Sequence, residues 1–252
     1  KDAKAVAAKI GDTYYATLED ALAAESNEAV ELLVPYVVAK GETVTLDLND
    51  KTVTGTPSEA KAYAVITNYG TLTISNGSVI CNHTLAGSTG YAVNTITNCG
   101  TLTIEDATIE NKSIAQYQIG YAIDNNSTSA DAVVNIKGGK VVASGSLYYD
   151  GIRQFCNSQT KKNSVVVSGG EVSTIWMQNP SDGATKNTKD VKGSIAISGG
   201  KVGVLSLEPS ANFEAAVTGG HFGEISYFQT AEGRDLKGFI TGGTFDNLID
   251  ET

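Results

Sequence analysis

Val167-Ser168-Gly169-Gly170-Glu171-Val172 is followed one repeat later by Ile197-Ser198-Gly199-Gly200-Lys201-Val202, and the same frame can be traced along most of the chain. In each copy an alternating stretch ends on Ile, Val or Leu, a polar turn follows, and an apolar residue returns five positions after the anchor. The copies run Leu48 to Val53, Ile74 to Val79, Ile104 to Ile109, Ile136 to Val141, Val167 to Val172, Ile197 to Val202, Val217 to Phe222 and Ile240 to Phe245. Their turns are built on Asn76-Gly77, Glu105-Asp106, Gly138-Gly139, Gly169-Gly170, Gly199-Gly200, Gly219-Gly220 and Gly242-Gly243. Gly, Asn and Asp share a tolerance of positive φ, so a sharp bend is expected at each. Successive anchors are 26, 30, 32, 31, 30, 20 and 23 residues apart, too long for hairpins and too irregular for a helical repeat. They predict the coils of a solenoid, in which the chain returns one rung (~4.8 Å) higher on each circuit and like positions stack in parallel sheets.

Two further repeats bear on register. Asn68-Tyr69-Gly70-Thr71-Leu72-Thr73-Ile74 matches Asn98-Cys99-Gly100-Thr101-Leu102-Thr103-Ile104, which places Val, Ile and Leu inward and Thr, Ser, Lys and Asn outward. Tyr63-Ala64-Val65, Tyr91-Ala92-Val93 and Tyr121-Ala122-Ile123 suggest a tyrosine ladder, with Asp150-Gly151-Ile152 in the matching place of the next coil. Residues 1–40 differ. Lys9 to Tyr15 reads as a short strand with a turn, and Thr17 with Asp20 reads as a capping box opening one short helix in the stretch Thr17 to Ala24. That helix is expected to cap the first open rung, giving a cap at 1–40 continuous with about eight coils at 41–252 in one domain. Strands are also expected at Val30–Val34 and Thr43–Leu48.

Composition agrees with an all-β chain and excludes several functions. Of 252 residues 41% are apolar, 18% are charged and 27 are Gly, which argues against both disorder and a coiled coil. The net charge is −10 and the arginines are Arg153 and Arg234, so no basic stripe exists to neutralise phosphates and nucleic acid is not an expected partner. There is no run of ~18 apolar residues, so this segment is not expected to insert in a membrane. The opening at Lys1 reads as a mature or excised segment. Cys81, Cys99 and Cys156 lack metal-like spacing; small buried hydrophobes is the leading reading, with Cys81–Cys99 the one pair to consider for a disulfide.

The opening Lys9 to Leu22, the stretch Leu46 to Val53 and the two Asn-x-Gly-Thr-Leu-Thr-Ile segments resemble right-handed parallel β-helix regions of the pectate-lyase-like superfold. They are most similar to those of large secreted or wall-anchored surface proteins of Gram-positive gut bacteria. The resemblance implies a right-handed parallel β-helix solenoid and an extracellular, cell-surface or secreted location. It leaves activity open, because this superfold hosts lyases, hydrolases, phage tailspikes and passive stalks.

Little assembled chemistry is visible. Enzymes of this superfold use clustered carboxylates with calcium and a basic residue, or grouped aspartates with a Gly-His-Gly segment, and this chain has no Asp-Asp, Asp-x-Asp or Gly-His-Gly. The nearest catalytic candidates are Asp150 and Arg153, with Asp124 one coil earlier; an Asp and Arg on one rung read first as a surface ion pair. His83 and His221 lie in different repeats, so a triad or a His-rich metal site lacks material, and no metal ligands are assigned. No cofactor is expected; calcium between acidic turns is left open without a motif to support it. For ligand binding the candidates are Trp176, Tyr148, Tyr149 and Tyr227, aromatics that could stack on sugar rings or anchor a protein. The leading expectation is thus a non-enzymatic, adhesin-like display or stalk module binding a glycan or host surface protein. The alternative is a polysaccharide-active lyase or hydrolase, or a tailspike-like depolymerase.

Overall fold

The computed structural model describes residues 6–57, 61–83, 92–113, 119–145, 149–178, 191–208, 212–227 and 238–247, apart from the side chains of residues 149, 150, 212 and 227. The chain opens with β1 (Ala8–Ile10), β2 (Thr13–Tyr15), helix α1 (Leu18–Leu22), β3 (Val30–Leu32), β4 (Tyr36–Val38), β5 (Thr43–Asp47) and β6 (Thr52–Gly55). It continues through β7 (Tyr63–Asn68), β8 (Thr71–Cys81), β9 (Val93–Asn98), β10 (Thr101–Asn111), β11 (Gly120–Asn125), β12 (Ala132–Ile136) and β13 (Lys140–Ala143). The last elements are β14 (Tyr149–Phe155), β15 (Lys162–Val167), β16 (Glu171–Gln178), β17 (Lys192–Ile197), β18 (Lys201–Leu207), β19 (Asn212–Val217), β20 (His221–Tyr227) and β21 (Thr244–Phe245).

From β3 onward every pairing is parallel and joins one rung to the next, so the chain is a parallel β-solenoid with three faces. Face 1 holds β5, the first halves of β8 and β10, then β12, β15, β17 and β19. Face 2 holds β3, β6, the second halves of β8 and β10, β13, the starts of β16, β18 and β20, and β21. Face 3 holds β4, β7, β9, β11, β14 and the ends of β16, β18 and β20.

Inside, like residues form continuous columns. On face 2, Val30, Val53, Val79, Ile109, Val141, Val172, Val202, Phe222 and Phe245 are in register, and the two phenylalanine rings stack at 5.3 Å. The facing column on face 1 is Leu46, Ile74, Ile104, Ile136, Val167, Ile197 and Val217, with Ile240 bridged to Val217. Branched side chains suit this pleated, fully enclosed stack, and each contributes about 1.5–3 kcal/mol of burial.

A second, polar column overturns the expectation that the repeated asparagines face outward, because each finds its hydrogen-bonding partner inside, one rung away. Asn68, Asn98, Asn125 and Gln154 point inward on face 3 and are fully buried. Each amide donates to the carbonyl oxygen of the next: Asn68 Nδ2 to Asn98 Oδ1 (2.8 Å), Asn98 Nδ2 to Asn125 Oδ1 (2.8 Å) and Asn125 Nδ2 to Gln154 Oε1 (2.6 Å). Gln154 Nε2 closes the ladder on the Asn163 carbonyl. Asn68 Oδ1 also accepts from Gly70 N–H (3.1 Å) and Asn98 Nδ2 donates to the Gly100 carbonyl (3.0 Å), so the ladder pins the bend between faces 3 and 1.

The turn between faces 1 and 2 needs glycine for two separate reasons. Gly170 has φ 73°, in the left-handed region. At Gly169 the backbone lies directly on the rung below, where a Cβ would come within 2.2 Å of the Lys137 carbonyl oxygen. The Gly-Gly pairs at 138–139, 199–200, 219–220 and 242–243 repeat both conditions.

The structure corrects several expectations. In the first copy Ile74 pairs with Leu46, not Leu48, because the turn is two residues longer and places Asn49 and Asp50 at positive φ. No positive φ occurs at Asp106; the register of β10 against β8 shifts there instead, a bulge that lets the strand run through. The tyrosine tripeptides do not stack: Tyr63 pairs with Val93, Tyr121 is in register with Asn94, and Tyr91 lies outside the described residues. Asp150-Gly151-Ile152 does align with Tyr121-Ala122-Ile123. The parallel ladder also begins before residue 41, at β3 and β4.

At the start of face 2 the edge of β3 is covered by β1 running antiparallel, backed by β2. β1 supplies the backbone partners for the β3 edge, and the short helix covers apolar side chains instead. Thr17 caps α1 by accepting from Asp20 N–H (3.1 Å), Leu18, Ala21 and Leu22 are buried, and the Leu22 carbonyl accepts from Lys51 Nζ (2.9 Å) and Asn49 Nδ2 (3.3 Å).

Connection lengths complete the frame. Between faces 1 and 2 the chain always crosses in a few residues, as at 137–139, 168–170 and 198–200. The long connections lie at the other two corners. Residues 82–92, 112–119 and 144–148 join face 2 to face 3, and 179–191 and 228–239 join face 3 to face 1. In the later rungs faces 2 and 3 are instead continuous within β16, β18 and β20.

Asn98→Ala is expected to lower unfolding stability in urea by about 2 kcal/mol, since it strands buried polar groups on either side, and Gly169→Ala by a similar amount. Thr103→Ala on the outer surface should stay within about 0.5 kcal/mol of wild type; equal losses for all three would contradict the ladder and the turn.

Candidate functional site

Strands of face 3 bend where they leave the corner, so residues three apart share the outer surface. Val65 and Ile66 are both buried, and in the next rung Asn94 Nδ2 donates to Thr97 Oγ1 (3.0 Å). Register then builds two outer columns: Ala64, Asn94 and Tyr121, beside Thr67, Thr97, Asp124, Arg153, Trp176, Ser206 and Ser226. A third, along the corner to face 1, includes Phe155 and Gln178.

Arg153 is the centre of this surface. Its Nε donates to Asp124 Oδ1 and its Nη2 to Asp124 Oδ2, both at 2.8 Å, a bidentate pair whose side chains are 15% and 5% exposed. The guanidinium carbon lies 4.5 Å from the Tyr121 ring centroid and 4.9 Å from that of Phe155, and Nη1 reaches Gln178 Oε1 at 3.5 Å. Burial alone pulls the Arg153 pKa down, but the hydrogen bonds and charge of Asp124 outweigh it and hold it above its ordinary value. Asn94 supports the pair by donating toward Asp124 Oδ2 (3.4 Å) and accepting from Tyr121 N–H (3.2 Å).

The expected surface exposure of Arg153 is corrected, whereas its expected pairing with Asp150 falls on a side chain outside the described residues. The partner of Arg153 is Asp124 from the rung below, because register stacks equivalent positions, and the pair is buried. Asp150 is in register with Tyr121, and its side chain lies outside the described residues.

Trp176 follows Arg153 in the same column and is half-buried. Its indole Nε1–H donates to Glu208 Oε1 (3.1 Å), and its ring lies 6.5 Å from that of Tyr121 at an angle of 44°. Of the other aromatic candidates, Tyr148 lies outside the described residues. Tyr149 pairs through its backbone with Gly120, and Tyr227 with Leu207 in the column of Met177, one position away from that of Trp176. Tyr121, Phe155, Glu208 and Gln178 were not singled out as site residues; only the register brings them to Arg153 and Trp176.

Other chemistry-bearing groups stand apart. Cys81, Cys99 and Cys156 are free thiols, and burial pushes Cys81 and Cys156 up to about 12, so both stay protonated and pack as small apolar groups. His83 is fully buried, with neither ring nitrogen hydrogen-bonded, and burial lowers its pKa. Among the described residues no group of three or more His, Cys, Asp or Glu is gathered as metal ligands, and no helix is long and apolar enough to cross a membrane. No protein-family model, curated protein or solved structure matches the chain.

Removing one partner of the buried pair, as in Asp124→Leu or Arg153→Met, should cost about 3–5 kcal/mol in chemical unfolding, and the double variant should recover a large part of it. Additive losses would contradict the coupling. His83, neutral when folded and more readily protonated when unfolded, contributes stability that is intact above its unfolded value near pH 6.5 and is lost as pH falls below it. The stability difference between wild type and His83→Met should therefore change by up to about 1.4 kcal/mol per pH unit over that window; a constant difference would contradict it.

Proposed function

We propose that this chain is a non-enzymatic recognition module of an extracellular, surface-displayed or secreted protein, a right-handed β-helix of the pectate-lyase-like kind, and that it binds a glycan on the outer surface of face 3. One observation carries the reading. The longest and most variable intervals between strands fall at the two corners that border face 3, while the interval between faces 1 and 2 stays short. The same face carries Trp176, Phe155, Arg153 and Gln178. A rigid sheet flanked by variable connections is the usual architecture of a binding surface, and aromatic rings beside amide and carboxylate groups suit sugar rings and their hydroxyls.

Binding rather than catalysis is favoured by the state of the charged pair. Both oxygens of Asp124 accept from Arg153, which leaves neither residue placed as a proton donor or acceptor for a substrate. A host protein remains an outcome of the same test.

Purified protein screened against a broad glycan and surface-protein array should give saturable glycan binding that weakens at least about tenfold with Trp176→Ala and is unchanged by Thr103→Ala on face 1. Incubation with pectic and other polysaccharides should release no new reducing or unsaturated ends. Absence of any glycan bound, or product release lost on Arg153→Ala, would overturn the reading.

A further inference from the structure

Trp176 stands at a step in its column. Below it are Arg153 and Asp124, large and tied together; above it the register places Ser206 and then Ser226. Among the described residues it is thus the last large side chain of that row, with small hydroxyl residues on the next two rungs. Its ring is also held in place from two sides, by the contact with Tyr121 and by the hydrogen bond to Glu208. A side chain fixed before binding loses little entropy on stacking, which is what a sugar platform requires.

Charge narrows what the platform accepts. The strands of face 3 contain no lysine, and their cation is Arg153, whose charge is met by Asp124. Acidic residues stand at 124 and 224, and Glu208 directly follows β18. A carboxylate or sulfate group brought here would find no free cation among the described residues of these strands, and desolvating it without a partner is costly. Sugar hydroxyls meet the opposite situation, since carboxylate and amide oxygens accept from them.

Resting on the glycan-recognition reading above, we propose that the ligand is an uncharged glycan stacked on Trp176, that Glu208 is the positioning residue for the indole, and that polyanionic glycans are rejected. Glu208 acts through Trp176: it fixes the ring by accepting from Nε1.

Trp176 is the lone tryptophan of the chain, so its emission reports the site directly. Titration of the intact protein with neutral oligosaccharides, such as manno-, xylo- and cello-oligosaccharides, should shift or quench that emission in a saturable way for at least one of them. Polygalacturonate and heparin should leave it unchanged at both low and high salt. Glu208→Ala should weaken binding by roughly tenfold and move the emission maximum of the free protein, whereas Glu208→Gln, whose amide oxygen still accepts from the indole, should stay within about threefold of wild type. Circular dichroism of both variants checks that the fold is kept. Saturable binding of a polyanion would overturn this inference while leaving glycan recognition in place. Unchanged affinity in Glu208→Ala would remove Glu208 from its positioning role, and binding of no glycan of either kind would overturn both readings.

Discussion

The structure rests on parallel backbone hydrogen bonds that hold each rung directly above the one before, in unbroken register. Because this spacing is the same along all three faces, any side chain is stacked on its counterpart in the neighbouring rung. The turn glycines follow from it, since Gly169 lies on the Lys137 carbonyl where no Cβ fits. So does the ladder of Asn68, Asn98, Asn125 and Gln154, in which a buried amide is tolerable because the next one, a rung away, supplies its partner.

The same constraint that builds the core builds the outer surface. Asp124 and Arg153 are far apart in sequence, yet they meet because both occupy one column of face 3, and Trp176 is placed beside them by the next rung. A solenoid thereby converts a short stretch on each of three coils into a compact cluster. The corners of the coil divide the work. One corner is held short by its Gly-Gly turns, and the two that border face 3 take up the variation in length, so the coil can change its connections without disturbing the stack.

Much of the solenoid was legible in the chain because its signal is local and repeated. The six-residue frame around Ile197–Val202 predicts strand, turn and strand, and its recurrence predicts parallel stacking. Where that reading failed, the failures lie in register. Leu48 looked like an anchor until two residues with positive φ took up the extra length, and the tyrosine tripeptides looked alike although Tyr63 pairs with Val93. A similar string does not stack when the connection before it differs in length by a residue or two. The N-terminal helix was legible from Thr17 and Asp20, but the edge of β3 is closed by β1, which supplies its backbone partners.

Sequence alone therefore determined the fold class, the inward identity of most apolar anchors and the positions of the Gly-Gly turns. Tertiary structure alone decided that Arg153 makes a buried bidentate pair with Asp124, that Trp176 is fixed by Glu208, and that the repeated asparagines form a buried hydrogen-bonded ladder. The reason is physical. Inward and outward alternation and turn chemistry are written into neighbouring residues, whereas contacts between rungs depend on the summed length of every connection between them, and one residue more or less moves each side chain to a different neighbour.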